Sequence, residues 1–213
     1  MKTPTLISLG LGGATALAGT GITLNHFYGG ESIREHIERT KKSKNKLFFT
    51  KDSKNFEDIK NKYHSSTDSK RPKPKDKSGK IVTKDNLEQW CADNSGTKFN
   101  SDKDELYQSI LSWCYINSNS FEEEMVVDEK QIYSSQGNTG TDWQTAWETY
   151  KNNKVATGMT ITGDNLTNLN GENKTEGGKA LEAWCSTNKA KKLYEDNAEA
   201  TYELFKKWCT KPK

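Results

Sequence analysis

The most reactive side chains of this 213-residue chain are four cysteines: Cys91, Cys114, Cys185 and Cys209. Such residues can form disulfides, bind zinc or act as nucleophiles. Zinc is disfavoured because no C-x-x-C pair occurs and all three histidines precede the first cysteine. A nucleophilic thiol would need a histidine partner, which the cysteine-bearing regions lack. Disulfide formation is the preferred interpretation, with buried free thiols as the alternative, and four cysteines allow three connectivities.

The cysteines lie in motifs that occur twice in the same order. Leu-x-x-Trp-Cys is at 87–91 and 181–185, and Tyr-x5-Trp-Cys is at 107–114 and 202–209. Upstream, Phe/Trp-x6-Tyr is at 56–63 and 143–150, and Ser-x-x-Glu is at 32–35 and 120–123. Four matches in one order indicate an internal duplication. We therefore predict two units, at 31–115 and 116–213.

Each motif has helical spacing. Leu87, Trp90 and Cys91 fall at i, i+3 and i+4, which places them on one face of a helix. Ser-x-x-Glu is the pattern of a capping box, which marks a helix start. Core packing is the preferred role of the aromatic residues in these motifs: Trp90, Trp113, Trp184, Trp208, Tyr107 and Tyr202.

The duplication selects one disulfide connectivity. If each unit folds by itself, Cys91 pairs with Cys114 and Cys185 pairs with Cys209, and each pair has Cα atoms within about 7 Å. Each bridge would stabilise its unit by about 3 kcal/mol through loop-closure entropy. Because disulfides persist in exported compartments, the pairing favours units outside the cytoplasm.

The N-terminal segment, residues 1–30, differs in composition from both units. No Asp, Glu, Lys or Arg occurs between Lys2 and Glu31, and the stretch 5–28 as a helix would span roughly 36 Å, enough for a bilayer core. A cleaved signal peptide with an A-x-A site at 16–18 is the alternative. The predicted fold is thus mainly α, with an N-terminal transmembrane helix followed by two disulfide-stapled helical units.

Basic residues are concentrated after this segment. Residues 41–80 contain 14 Lys+Arg and 5 Asp+Glu, and the Pro- and Lys-rich stretch 65–80 is predicted to be a disordered loop within the first unit. The positive-inside rule would keep the following chain in the cytoplasm, but we give the disulfides more weight. A solvated stalk is preferred over contact with anionic lipid. Nucleic acid is disfavoured because aromatic residues are sparse there.

Sequence motifs of catalysis and cofactor binding are missing. Neither a nucleotide-binding glycine loop nor H-E-x-x-H nor G-x-S-x-G occurs. With 31% hydrophobic residues and a mean hydropathy of −0.97, a large single-core enzyme is disfavoured too. We predict no catalytic, cofactor or metal residue, and a protein that is not an enzyme.

The order of motifs resembles a known family. An uncharged Gly/Ala N-terminus, then Gly-Glu-Ser-Ile at 30–33, then the aromatic and Trp-Cys motifs, is similar to the paralogous surface-type proteins of hemotropic mycoplasmas. The resemblance covers nearly the whole chain, although family members commonly have one unit after an anchor and this chain has two. It implies a surface antigen of a wall-less bacterium living on red cells, with no ligand or catalytic residues.

These observations lead to one preferred hypothesis about function and two alternatives. The preferred one is a single-pass cell-membrane protein, antigenic or host-interacting, with its C-terminal region extracellular. Its partners would be the lipid bilayer, through 5–28, and a host surface or antibody. The alternatives are a membrane-tethered scaffold facing the cytoplasm and an enzyme with an unrecognised site.

Overall fold

The computed structural model describes residues 30–41, 45–133, 141–163 and 166–212. In these residues the chain forms eight α-helices and one two-stranded antiparallel sheet. The helices of the first unit are α1 (Ile33–Thr40), α2 (Phe56–Ser65), α3 (Leu87–Ser95) and α4 (Glu105–Trp113). Those of the second unit are α5 (Phe121–Val127), α6 (Thr141–Asn153), α7 (Lys174–Asn188) and α8 (Ala198–Trp208). Strand β1 (Lys46–Phe48) pairs with β2 (Tyr115–Asn117), which spans the boundary between the two units.

Each unit has its own hydrophobic core. The helical spacing of apolar residues brings one face of every helix inward, as Ile33 and Ile37 of α1 illustrate. The first core includes these buried side chains: Tyr63, Leu87, Tyr107, Ile110 and Trp113. The second core includes these: Phe121, Trp147, Tyr150, Phe205 and Trp208.

The first helix of each unit begins with the predicted capping box. Ser32 accepts the amide N–H of Glu35 at 3.2 Å, and the Glu35 carboxylate accepts the Ser32 amide at 2.9 Å. Ser120 and Glu123 make the same two bonds at 3.2 and 2.7 Å. Both capping boxes satisfy amide groups that a helix start leaves without an internal partner.

The two units also share backbone connections between distant elements. The Phe99 amide donates to the Glu31 carbonyl at 2.9 Å, and the Leu193 amide donates to the Asn119 carbonyl at 3.0 Å. These bonds tie the start of each unit to the loop before its last helix. Position 99 of the first unit is therefore equivalent to position 193 of the second, and the duplication seen in the sequence is also a duplication of structure.

The second unit differs from the first in the length of its third helix. α7 has 15 residues, whereas α3 has 9. The extra turns of α7 pack closely against α6 at two glycines. A Cβ on Gly177 would lie 2.2 Å from the Trp147 ring, and one on Gly178 would lie 3.0 Å from the Gln144 backbone. The absence of a side chain at both positions allows this close contact.

Two expectations from the sequence need correction. No helix in the described part of the chain is long and apolar enough to cross a membrane, so the transmembrane helix in the predicted fold class is not found there. The longest described helix, α7, has 15 residues, fewer than the roughly 20 that a bilayer core requires. The stretch 5–28, on which that prediction was placed, lies outside the described residues.

The second correction concerns the stretch 65–80, which was expected to be disordered. After Ser65, the last residue of α2, it follows a defined path along the first unit without helix and ends in a turn at Asp76. The Asp76 carboxylate accepts the amides of Ser78 and Lys80 at 2.8 and 3.0 Å. Lys73 donates to the His64 carbonyl at 2.9 Å. Local polar bonds of this kind order the stretch although it contributes few apolar side chains.

Candidate functional site

Both predicted disulfides are present. Cys91 and Cys114 are bonded with Cα atoms 5.5 Å apart, and Cys185 and Cys209 are bonded with Cα atoms 5.7 Å apart. Both distances are within the expected bound of about 7 Å. All four cysteines are buried in the cores. Each bridge joins the third and fourth helices of its own unit.

A tyrosine and a tryptophan pack edge to face in the core of each unit. The rings of Tyr63 and Trp113 have centroids 5.0 Å apart at 79°, and those of Tyr150 and Trp208 have centroids 5.3 Å apart at 85°. This T-shaped geometry is favourable for aromatic pairs. Since Trp113 and Trp208 directly precede a bridged cysteine, the disulfide and the aromatic pair belong to one packed layer.

The remaining predicted core residues fall into two groups. Tyr107 and Tyr202 are buried, and the Tyr202 hydroxyl donates to Asp128 at 2.9 Å. Burial raises the pKa of Tyr202, and the Asp128 carboxylate raises it further. Trp90 and Trp184 are only partly buried and lie at the margin of each core. Core packing therefore describes the tyrosines fully and these two tryptophans only in part.

A side chain that sequence reasoning missed lies where the two units meet. Arg71 places its guanidinium 3.7 Å above the centroid of the Trp113 ring. It donates to the Tyr194 carbonyl at 2.7 Å and to the Ser112 carbonyl at 2.8 Å. Its side chain is only 17% exposed. Burial lowers the pKa of Arg71, and the charge of Asp196 partly offsets this effect.

The carboxylate of Asp196, from the second unit, completes this cluster. It lies 3.7 Å from Arg71, accepts a hydrogen bond from the Ser66 hydroxyl at 2.7 Å and pairs with Lys62 at 3.3 Å. Burial alone would raise the pKa of Asp196. The Ser66 bond and the charges of Lys62 and Arg71 outweigh burial and hold that pKa below its ordinary value.

Tyr194 carries the second unit into the core of the first. It lies in the loop between α7 and α8, yet its side chain is only 6% exposed and packs in the first unit's core. Burial, with the nearby charges of Asp58 and Glu195, raises the pKa of Tyr194 to about 12. The first unit's core is therefore completed by a side chain of the second.

Polar contacts elsewhere join the units as well. Lys46 pairs with Glu199 at 3.1 Å, and the Asn55 side-chain amide donates to the Ser118 carbonyl at 3.1 Å. These bonds flank the Arg71 cluster. These bonds attach the start of α8 and the segment before α5 to the first unit, in addition to the α7–α8 loop.

A cleft of about 570 Å³ lies along this junction. It is bounded by α4 and β2 on one side and by the stretch 193–200 of the second unit on the other. Its charged lining residues come from both units: Lys41, Lys46, Asp68, Lys70, Arg71, Glu195 and Glu199. The cleft is open to solvent and carries charged side chains from both units, and we take it as the candidate functional site of the described chain.

A second polar cluster lies at the start of the first unit. Arg39 donates to both oxygens of Glu31 at 2.7 Å, and His36 Nδ1 lies 3.0 Å from Glu31. The Arg39 hydrogen bonds, aided by His36, lower the pKa of Glu31 to about 2. The His36 ring stacks on Phe99 with centroids 3.6 Å apart. Among the described residues, no group of three His, Cys, Asp or Glu side chains is placed to hold a metal ion.

Comparison with known proteins identifies no relative. No protein-family model, curated protein or solved structure matches this chain.

Proposed function

We propose that this chain is a non-catalytic binding protein, exported and displayed on the cell surface as an antigenic or host-interacting molecule. The observation that carries the proposal is the pair of buried disulfides, placed identically in both units. Disulfides of this kind persist in oxidising compartments, and cytosolic thiols are kept reduced. A cytoplasmic scaffold with the same sequence would have to fold without either bridge.

The placement of the reactive side chains supports a binding role over a catalytic one. All four cysteines are bonded in disulfides, so none offers a thiolate. The His36 imidazole stacks on Phe99 and contacts Glu31, so its interactions are made within the fold. The two units together form a cleft at their junction. Interfaces between domains are places where proteins commonly bind ligands.

Thiol labelling in the native organism tests the location. Cells are lysed in denaturant with an alkylating reagent and no reductant, and the alkylated cysteines are counted by mass spectrometry. We expect none of the four to be labelled before reduction and all four afterwards. Four labelled cysteines before reduction would support the cytoplasmic scaffold and overturn the proposal.

Protease treatment of intact cells provides the second readout. We expect the stretch 81–213 to be lost together with a known surface protein, while a cytoplasmic marker survives. Survival of 81–213 when the surface marker is lost would contradict surface display.

A further inference from the structure

The cleft at the junction of the units has the size of a small-molecule site. Its volume of about 570 Å³ is within the range of roughly 300–1,000 Å³ that is typical of ligand pockets. Neither unit forms it alone, since the first supplies Lys41 and Lys70 and the second supplies Glu195 and Ala198. A ligand in this cleft would contact both units at once.

The carboxylates that line the cleft are bound within the protein. The Asp68 carboxylate accepts the Lys70 amide at 2.9 Å, and the Glu195 carboxylate accepts the Lys192 amide at 2.8 Å. Glu199 pairs with Lys46 at 3.1 Å. Each acidic group thus has a hydrogen-bond or ion-pair partner of its own.

The cations of the cleft are not all used in this way. The Lys41 and Lys70 side chains are exposed, and neither makes an ion pair with another residue of the described ranges. Arg71 also faces the cleft, but its N–H groups are donated to the carbonyls of Tyr194 and Ser112. Among the described residues that line the cleft, the positive charge free for a ligand is therefore that of two lysine ammonium groups.

We propose that this cleft binds a compact, multiply charged phosphate, either a phosphate ester or a short polyphosphate, through Lys41 and Lys70. Lysine binds phosphate as a point charge and does not need the bidentate geometry of an arginine fork. The one arginine of the cleft already uses its fork on backbone carbonyls. This inference rests on the proposed binding role and names the class of ligand. It does not depend on which side of a membrane the cleft faces.

Calorimetric titration of the purified full-length chain with inorganic pyrophosphate at low ionic strength tests this inference. We expect a single site per chain and an affinity that falls as salt is added. In the double variant Lys41→Gln/Lys70→Gln, the dissociation constant should rise by at least about tenfold. The matched control, Lys189→Gln/Lys207→Gln, removes two exposed lysines of the second unit that do not line the cleft and should change the dissociation constant by less than about twofold.

Two results would overturn the inference. One is the absence of measurable binding by the unaltered chain, and the other is an equal loss of affinity in both double variants, which would mean diffuse attraction to positive charge. Near-ultraviolet circular dichroism of each variant checks that the cores are intact. The thiol-labelling result stands whatever the titration shows, so failure of this inference is distinguishable from failure of the proposed location.

Discussion

The Arg71 guanidinium lies 3.7 Å from the centroid of the Trp113 ring and also donates a hydrogen bond to the Tyr194 carbonyl of the second unit. One side chain therefore contacts the residue next to a buried disulfide, Cys91–Cys114, and the neighbouring unit. The aromatic core and the junction between the units depend on each other through this contact.

Replacing Arg71 tests that dependence. Arg71→Lys keeps the positive charge but loses the planar stack and the two-pronged hydrogen bonding, so the free energy of unfolding should fall by about 2 kcal/mol. Urea denaturation followed by tryptophan fluorescence measures the change. Lys77→Gln, an exposed residue of the same stretch, is the control and should shift stability by less than about 0.5 kcal/mol. Equal stability of the two variants would show that Arg71 is not needed at the junction.

The close contact of α6 and α7 gives a second prediction. Gly177→Ala places a methyl group 2.2 Å from the buried ring of Trp147, which has little room to move. We expect a loss of about 1–3 kcal/mol from overpacking, although alanine is the better helix former.

Gly96→Ala is the matched control, since a Cβ there meets nothing within 4 Å and its φ is −80°. It should leave stability unchanged or raise it slightly. Thermal unfolding of both variants compares them directly. A Gly177→Ala protein as stable as the parent would mean that the helices do not pack this closely.

The disulfides give a third prediction. Their sequence separations of 23 and 24 residues are nearly equal, so Cys91→Ser/Cys114→Ser and Cys185→Ser/Cys209→Ser should each cost about 3 kcal/mol. Denaturation of each double variant under non-reducing conditions measures the two losses. A loss confined to one variant would contradict equal roles for the two bridges.

Asp196 gives a pH prediction. Its pKa is lowered in the folded protein, so the stabilisation it provides is fully present above the unfolded-state pKa of about 4 and is lost as pH falls through the lower folded value. Asp196→Asn should therefore be less stable than the parent at pH 7, and the difference should shrink between about pH 4 and pH 2.

Chemical denaturation at pH 7 and at about pH 2 measures the free energy of unfolding of both proteins. Asp52→Asn, an exposed residue away from the junction, is the control and should follow the parent at every pH. A constant gap between Asp196→Asn and the parent across the range would rule out a role for the charge.

Local pattern and repetition made much of the fold predictable. Ser32 and Ser120 could be assigned as helix caps because a capping box spans four residues. The pairing of Cys91 with Cys114 could be predicted because equivalent positions in a duplicated fold share an environment. The first inference uses four neighbouring residues, and the second uses the comparison of the two copies.

The junction could not be predicted in this way, because its contacts join residues far apart in the chain. Arg71 and Tyr194 are 123 positions apart, and no spacing rule relates them. The only signal for Arg71 was that it is the single arginine of the lysine-rich stretch 41–80. Composition indicated disorder there, whereas the structure orders the stretch through specific polar contacts.

The junction also has a consequence for assembly. The α7–α8 loop of one copy docks on a different surface of the other copy, so the contact is head-to-tail. A head-to-tail contact between like units has no built-in end and can continue into a filament. Among the described residues this contact is made once, because its two key residues do not recur at the equivalent positions.

The equivalent positions show why. The Arg71 carbonyl accepts the Trp113 indole N–H at 3.4 Å, and the Met159 carbonyl accepts the Trp208 indole N–H at 2.7 Å. Position 159 is therefore equivalent to position 71, and the second unit has methionine where the first has arginine. Position 100, equivalent to Tyr194, is asparagine. Each outer face of the tandem therefore lacks one of the two residues that make the contact between the units.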